Sequence, residues 1–158
     1  MELALILHDI RSAHNVGSLF RTADAAGVSK IILSGYTPSP LDRFGRARSD
    51  IAKVALGAEK SMLWKQIPEL ATTIEGLKQK GFLVLALEQH PDSISLFDFA
   101  IPNTKEKVAL ILGSEVGGLS PEILGLADHI LEIPMRGNKE SLNVAVAAGI
   151  ALYALLAS

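Results

Sequence analysis

The chain has 158 residues, 49% of them hydrophobic and 20% charged, with a formal net charge of −2. That length fits one domain with a core of its own, and the apolar share excludes a disordered chain. With no cysteine, a disulfide framework, a thiolate nucleophile and a cysteine-based zinc site are all excluded. The small net charge gives no general attraction to nucleic acid, but it hides a gradient: residues 1–60 sum to +2 and residues 61–158 to −4. The opening MELALILHDIR has no basic stretch before its short apolar run, so it does not read as a secretory signal. The longest uncharged apolar run, Val144 to Ala157, is 14 residues, short of the ~20 that a bilayer span needs. The expectation is a cytoplasmic protein in which residues 1–158 form a single domain, without a membrane partner or a metal.

In chain order, Leu3–Leu7 reads as a buried strand. Asn15 is placed to cap a helix over Val16–Ala26, whose Val16, Leu19, Phe20, Ala23 and Ala26 form one apolar stripe. At 100° per residue Arg21 projects from the opposite side, free to meet a ligand or simply to be solvated. Lys30–Leu33 is a second strand. The loop after Pro38 and Pro40 carries Arg43-Phe44-Gly45-Arg46-Ala47-Arg48, three arginines and an aromatic with no acid among them. It reads either as a solvated loop or as a contact for RNA phosphates and bases. A helix over Pro68–Lys80 opens with proline at its first position and closes on Gly81.

Phe82–Leu87, Val108–Leu112 and Ile130–Ile133 complete a set of five continuous apolar runs. Ser120 caps a helix with Pro121 at its first position, and the last helix runs from about Ser141, its expected cap, to Leu156. Continuous strands alternating with helices predict an α/β fold with a mostly parallel sheet flanked by helices. Ligands of such folds sit at the carboxyl ends of the strands.

Two of those ends are rich in glycine and polar residues. Gly113-Ser114-Glu115-Val116-Gly117-Gly118 follows the fourth run; it is neither a G-x-G-x-x-G fingerprint nor a Walker loop, so hydride and phosphoryl chemistry lose support. Ile133-Pro134-Met135-Arg136-Gly137 leads through a polar loop to Ser141-Leu142-Asn143-Val144. The four histidines (His8, His14, His90, His129) show no metal-ligand spacing, and no G-x-S-x-G elbow anchors a hydrolase triad.

Together the segments resemble the three motifs of the SpoU branch of the SPOUT RNA methyltransferases, most nearly the TrmH-like members. Asn15, Gly17, Arg21 and Thr22 match N-x-G-x-x-x-R-T/S, and Gly113, Glu115 and Gly118 match G-x-E-x-x-G. Ile133, Pro134, Met135 and Gly137, then Ser141 through Val144, match I-P-M-x-G and S-L-N-V. Ala145 stands where many relatives have a second serine.

The resemblance implies a single methyltransferase domain over residues 1–158 without a separate RNA-binding domain, a C-terminal trefoil knot, a homodimer, and S-adenosylmethionine-dependent methylation of a ribose 2′-hydroxyl in tRNA or rRNA. It implies that Leu112, Gly113, Gly118, Ile133, Met135, Ser141, Leu142 and Asn143 hold the cofactor. Arg21, Asn15, Glu115 and Asn143, with Ser141 beside them, would form the catalytic cluster. Arg21 would also meet RNA, as would Arg43, Arg46 and Arg48. A knotted RNA-binding protein without turnover is the alternative.

Overall fold

Runs such as Leu3–Leu7 have no polar residue to face water, so both sides of the sheet must be covered. The computed structural model describes residues 1–158 and shows how. The strands are β1 (Glu2–His8), β2 (Lys30–Ser34), β3 (Trp64–Gln66), β4 (Leu83–Leu87), β5 (Ile94–Ser95), β6 (Lys107–Leu112) and β7 (His129–Glu132). The helices are α1 (Ala13–Ala26), α2 (Ser49–Ala55), α3 (Ala58–Ser61), α4 (Leu70–Gln79), α5 (Pro121–Leu126) and α6 (Val144–Ala157). All pairings are parallel, in the order β3-β2-β1-β6-β4-β7-β5.

The period of two along each strand sorts side chains into two cores. Leu3, Leu5 and Leu7 join Leu110, Leu85 and Leu33 under α1, α2 and α6. Ala4 and Ile6 join Ala109, Ile111, Val84 and Ile32 under α4 and α5. β6 lies between β1 and β4, with Leu110 opposite both Leu5 and Leu85. Val16, Leu19 and Phe20 of α1 are fully buried, and truncating such a phenylalanine to alanine costs about 3–5 kcal/mol.

Three helix starts differ from the sequence reading. Ser12, not Asn15, caps α1: its Oγ accepts the Asn15 N–H at 3.1 Å, which leaves the Asn15 side chain unused by the cap. Glu69, not Pro68, opens α4, its carboxylate accepting the N–H groups of Ala71 and Thr72. Asn143, not Ser141, caps α6. Residues 133–142 are needed to carry the chain from β7 across to the α1 side of the sheet, so the helix starts later. Ser120 caps α5 with Pro121 at its first position, as expected.

The strands β3 and β5 and the helices α2 and α3 add to the elements read from the sequence. Gly17 lets α2 approach α1: a Cβ there would lie 2.8 Å from the Ile51 carbonyl oxygen and from Val54 Cβ. α6 lies beside α1, where the Tyr153 hydroxyl donates to the Ala25 carbonyl at 3.3 Å. No helix is long and apolar enough to cross a membrane.

Candidate active site

The carboxyl ends of β4, β6 and β7 and the start of α6 surround a cavity of about 320 Å³. Its apolar wall includes Leu87, Leu112, Ile133, Met135, Leu142, Val144 and Ala147. Its polar wall includes Glu88, Glu115, Glu132, Gln89, Ser114 and Ser141, and no lysine, arginine or histidine lines it. Three carboxylates without a cation make the space hostile to a phosphate and suited to a neutral or cationic ligand.

The loop after β6 closes on itself. Ser114 Oγ accepts from the N–H groups of Val116 and Gly117, and the Ser114 carbonyl accepts from Gly118 N–H at 2.9 Å. A Cβ on Gly113 would sit 2.7 Å from the Gly118 carbonyl carbon, so this glycine serves the loop's own closure. Gly118 has φ +62°, and a Cβ there would run into the Glu88 carboxylate. That carboxylate in turn accepts the Leu119 N–H at 2.9 Å. Glu88 therefore ties the end of β4 to the loop after β6. The sequence reading missed it along with Leu87, Gln89 and Glu132; the only signal was an acid directly after an apolar strand.

At the cavity's edge the three motifs meet in one chain of hydrogen bonds. Asn143 Oδ1 accepts the N–H groups of Ala145 (2.9 Å) and Val146 (3.4 Å) at the α6 N-terminus. Its amide nitrogen thus points outward and donates to Asn15 Oδ1 at 3.2 Å. Asn15 must then present its own amide nitrogen to Glu115, donating to Oε1 at 2.7 Å. The helix N–H groups fix the direction of every bond in this relay, because an amide has one accepting and one donating end.

The structure places Leu112, Gly113, Gly118, Ile133, Met135, Ser141 and Leu142 on the cavity wall, with Asn143 between Leu142 and Val144. It brings Asn15, Glu115 and Asn143 into contact, but not Arg21. Arg21 is exposed on α1, in a shallow groove with Ser18, Thr22, Ala25, Val54 and Tyr153. It lies six positions beyond Asn15 on the helix, about 9 Å along the axis.

In the loop after β2, Arg46 Nε donates to Asp42 (3.0 Å), and Arg48 makes two bonds to Asp50 (3.1 and 2.7 Å). The acids lie just outside the arginine-rich window. The backbone N–H of Arg46 foremost, then that of Phe44, holds the Asp42 carboxyl below the usual carboxylate range. The hydrogen bonds from Arg48 lower Asp50 likewise, and Asp50 raises Arg48. No three His, Asp or Glu side chains cluster where they could hold a metal ion.

Comparison with known proteins places these features in a wider set. The model of the SpoU rRNA Methylase family matches residues 2–153. A 23S rRNA (guanosine-2′-O-)-methyltransferase of Ralstonia nicotianae is 33% identical over 96% of this chain, which spans 57% of that relative's length. An AdoMet-bound rRNA methyltransferase from Sinorhizobium meliloti superposes with a TM-score of 0.85 at 29% identity, covering 97% of this chain and 55% of that one. A structure described as giving insight into 2-OH methylation of C/U34 on tRNA has a TM-score of 0.79 at 28% identity, covering 96% of this chain and 92% of that one.

Proposed function

The chain belongs to the SpoU rRNA Methylase family, and from that premise we propose that it methylates a ribose 2′-hydroxyl of tRNA or rRNA with S-adenosylmethionine. The observation that carries this reading is the relay Glu115–Asn15–Asn143, which joins all three motifs at the edge of the cavity. The cavity fits the cofactor's chemistry: an apolar wall for the adenine, and carboxylates with no cation for a ligand that bears a sulfonium and an ammonium. Leu112, Gly113, Gly118, Ile133, Met135, Ser141, Leu142 and Asn143 would hold it. When bound, the cofactor supplies an activated methyl group on sulfur.

The protein's own residues then have two tasks. The relay fixes the orientation of Glu115 and Asn15, so that a ribose docked against them meets preset acceptors and donors. Arg21, always charged and a poor base, pairs with the phosphate beside the target ribose and stabilises the developing alkoxide. A phosphate oxygen or water takes the proton. Arg43, Arg46 and Arg48 contact the RNA backbone.

The working unit is a homodimer in the cytoplasm. Support comes from α6, whose outward positions Val146 and Tyr153 are 52% and 54% exposed, Tyr153 lining the Arg21 groove. An apolar helix face of this kind marks an interaction surface, here one of at least about 1,200 Å² in total. The C-terminal segment is threaded as a trefoil knot. The match of residues 2–153 to the SpoU rRNA Methylase family supports it.

The test is methyl transfer from labelled S-adenosylmethionine to total tRNA and rRNA, followed by mass-spectrometric mapping of the ribose methyls. Incorporation by the wild type and its loss in Arg21→Ala support the reading. RNA binding without any incorporation would instead identify a knotted RNA-binding protein without turnover.

A further inference from the structure

Two exposed aromatic rings have no role in the site described above. Tyr36 is 73% exposed and Phe44 is 67% exposed, both in the segment between β2 and α2. Each is partnered by arginine. The Arg11 guanidinium lies 5.5 Å from the Tyr36 ring centre, and those of Arg43 and Arg46 lie 4.8 and 5.0 Å from that of Phe44.

Both rings are presented by turns that are already fixed. The Tyr36 N–H donates to Asp9 Oδ1 at 2.9 Å, and Asp9 is itself held at φ +56° beside His8. Gly35, at φ +61°, is the residue this turn requires, since a Cβ would strike the Asp9 carboxylate. The buried Thr37 completes the lock, donating to the Leu7 carbonyl and accepting from Ile10 N–H. Around Phe44 the Asp42 carboxylate accepts the N–H groups of Phe44 and Arg46, and Leu41 pairs with Ala47 across the loop.

A large ring held in water by a rigid turn gains nothing from folding, because burial is what makes an aromatic side chain stabilising. A ring flanked by guanidinium groups offers a π-face for a base and charge for its phosphate. Duplex bases are already stacked on one another, so only unpaired bases present a free face. The segment also leaves β2 at the cavity's end of the sheet. With β1 alone between β2 and β6, it starts about 10 Å along that edge from Leu112.

We propose that Tyr36 with Arg11, and Phe44 with Arg43 and Arg46, form two stacking positions for unpaired nucleotides flanking the methylated ribose. This rests on the RNA reading above and deepens it: the substrate is a loop or single-stranded stretch rather than a duplex.

The experiment measures binding of the full chain to a labelled, unstructured RNA of about a dozen nucleotides and to a duplex of the same sequence, by fluorescence anisotropy. Tyr36→Leu and Phe44→Leu each weaken single-strand binding about tenfold. Tyr36→Phe and Phe44→Tyr, which keep the ring, stay within about twofold of wild type, and duplex binding barely changes. Leucine variants that bind the single strand as the wild type does, or that lose duplex binding equally, overturn the stacking positions. Wild type that binds neither RNA, yet binds S-adenosylmethionine in calorimetry, overturns the RNA reading together with this one.

Discussion

Asn143 performs two tasks with the two ends of one amide, and substitution can separate them. Asn143→Ala removes the acceptor of the Ala145 and Val146 N–H groups. Loss of such a cap costs about 1 kcal/mol. For a domain of this size that lowers Tm by about 2–4 °C. The rest of α6 stays in place, because Ala148, Ala151, Leu152 and Leu155 are buried against α1 and the sheet. Asn143→Asp keeps the cap and adds a negative charge at a helix N-terminus, a gain of about 0.3–1 kcal/mol that offsets the relay hydrogen bond it forfeits, so Tm should stay close to that of the wild type. It cannot donate to Asn15, however. Asn15 then either faces a carboxylate with its own oxygen or reverses and turns that oxygen toward Glu115. Each arrangement forfeits at least one hydrogen bond of the relay, about 0.5–1.5 kcal/mol. The expected pattern is a crossed one: alanine lowers Tm, whereas aspartate spares Tm and cuts methyl transfer about tenfold or more. Differential scanning calorimetry and single-turnover methylation read the two arms. Wild-type turnover in Asn143→Asp would refute the directional relay, and an unchanged Tm in Asn143→Ala would refute the cap.

Other substitutions probe separate links. Arg21 is exposed on α1, so Arg21→Ala should fold and bind S-adenosylmethionine normally while losing on the order of 10² in methyl transfer. Arg21→Lys should rescue poorly, since an ammonium lacks the planar two-point contact with phosphate; turnover within about threefold of wild type in either variant refutes the role. Gly118→Ala places a Cβ against Glu88 at positive φ and should destabilise by about 1–3 kcal/mol, measured by urea unfolding. The carboxyl of Glu69 is held low, first by the Thr72 hydroxyl and then by the Thr72 and Ala71 N–H groups. A depressed pKa means stability present above the ordinary glutamate value, about 4.3, and lost as pH falls through the folded value. Glu69→Gln should therefore flatten the fall in Tm below that pH, and an identical acid profile would exclude the contribution. Replacing Arg43, Arg46 and Arg48 with alanine should reduce the salt dependence of RNA binding; an unchanged slope would mean that none of the three meets phosphate.

The central strands were legible because β1, β4 and β6 are unbroken apolar runs, which a sheet covered on both faces demands. The edges were not. β3 pairs through Trp64, Lys65 and Gln66, and β5 is Ile94 and Ser95 alone, so neither carries a pattern. In the site, motif residues were legible and their wiring was not. Ser12, Asn15, Ser141 and Asn143 are all good caps by residue type, and only the packed chain decides that Ser12 and Asn143 serve. That decision frees Asn15 to bridge the other two motifs. Glu88 left even less trace, since a lone acid after a strand is ordinary until Gly118 and Leu119 fold against it.

The place of β6 in the sheet has a consequence for how the chain emerges from the ribosome. Glu2 ends up opposite Lys107 and Leu7 opposite Leu112, so although β2 can cover one edge of β1 early, the other edge waits for a partner about a hundred residues downstream. At typical synthesis rates of about 5–20 residues per second, β1 and β4 are both exposed for seconds before β6 is available to join them. Each offers an unpaired apolar edge in that interval, the form of strand most prone to mispairing. Slow translation upstream of residue 107 would lengthen the exposure, and slowing after β6 has left the exit tunnel would be harmless by comparison.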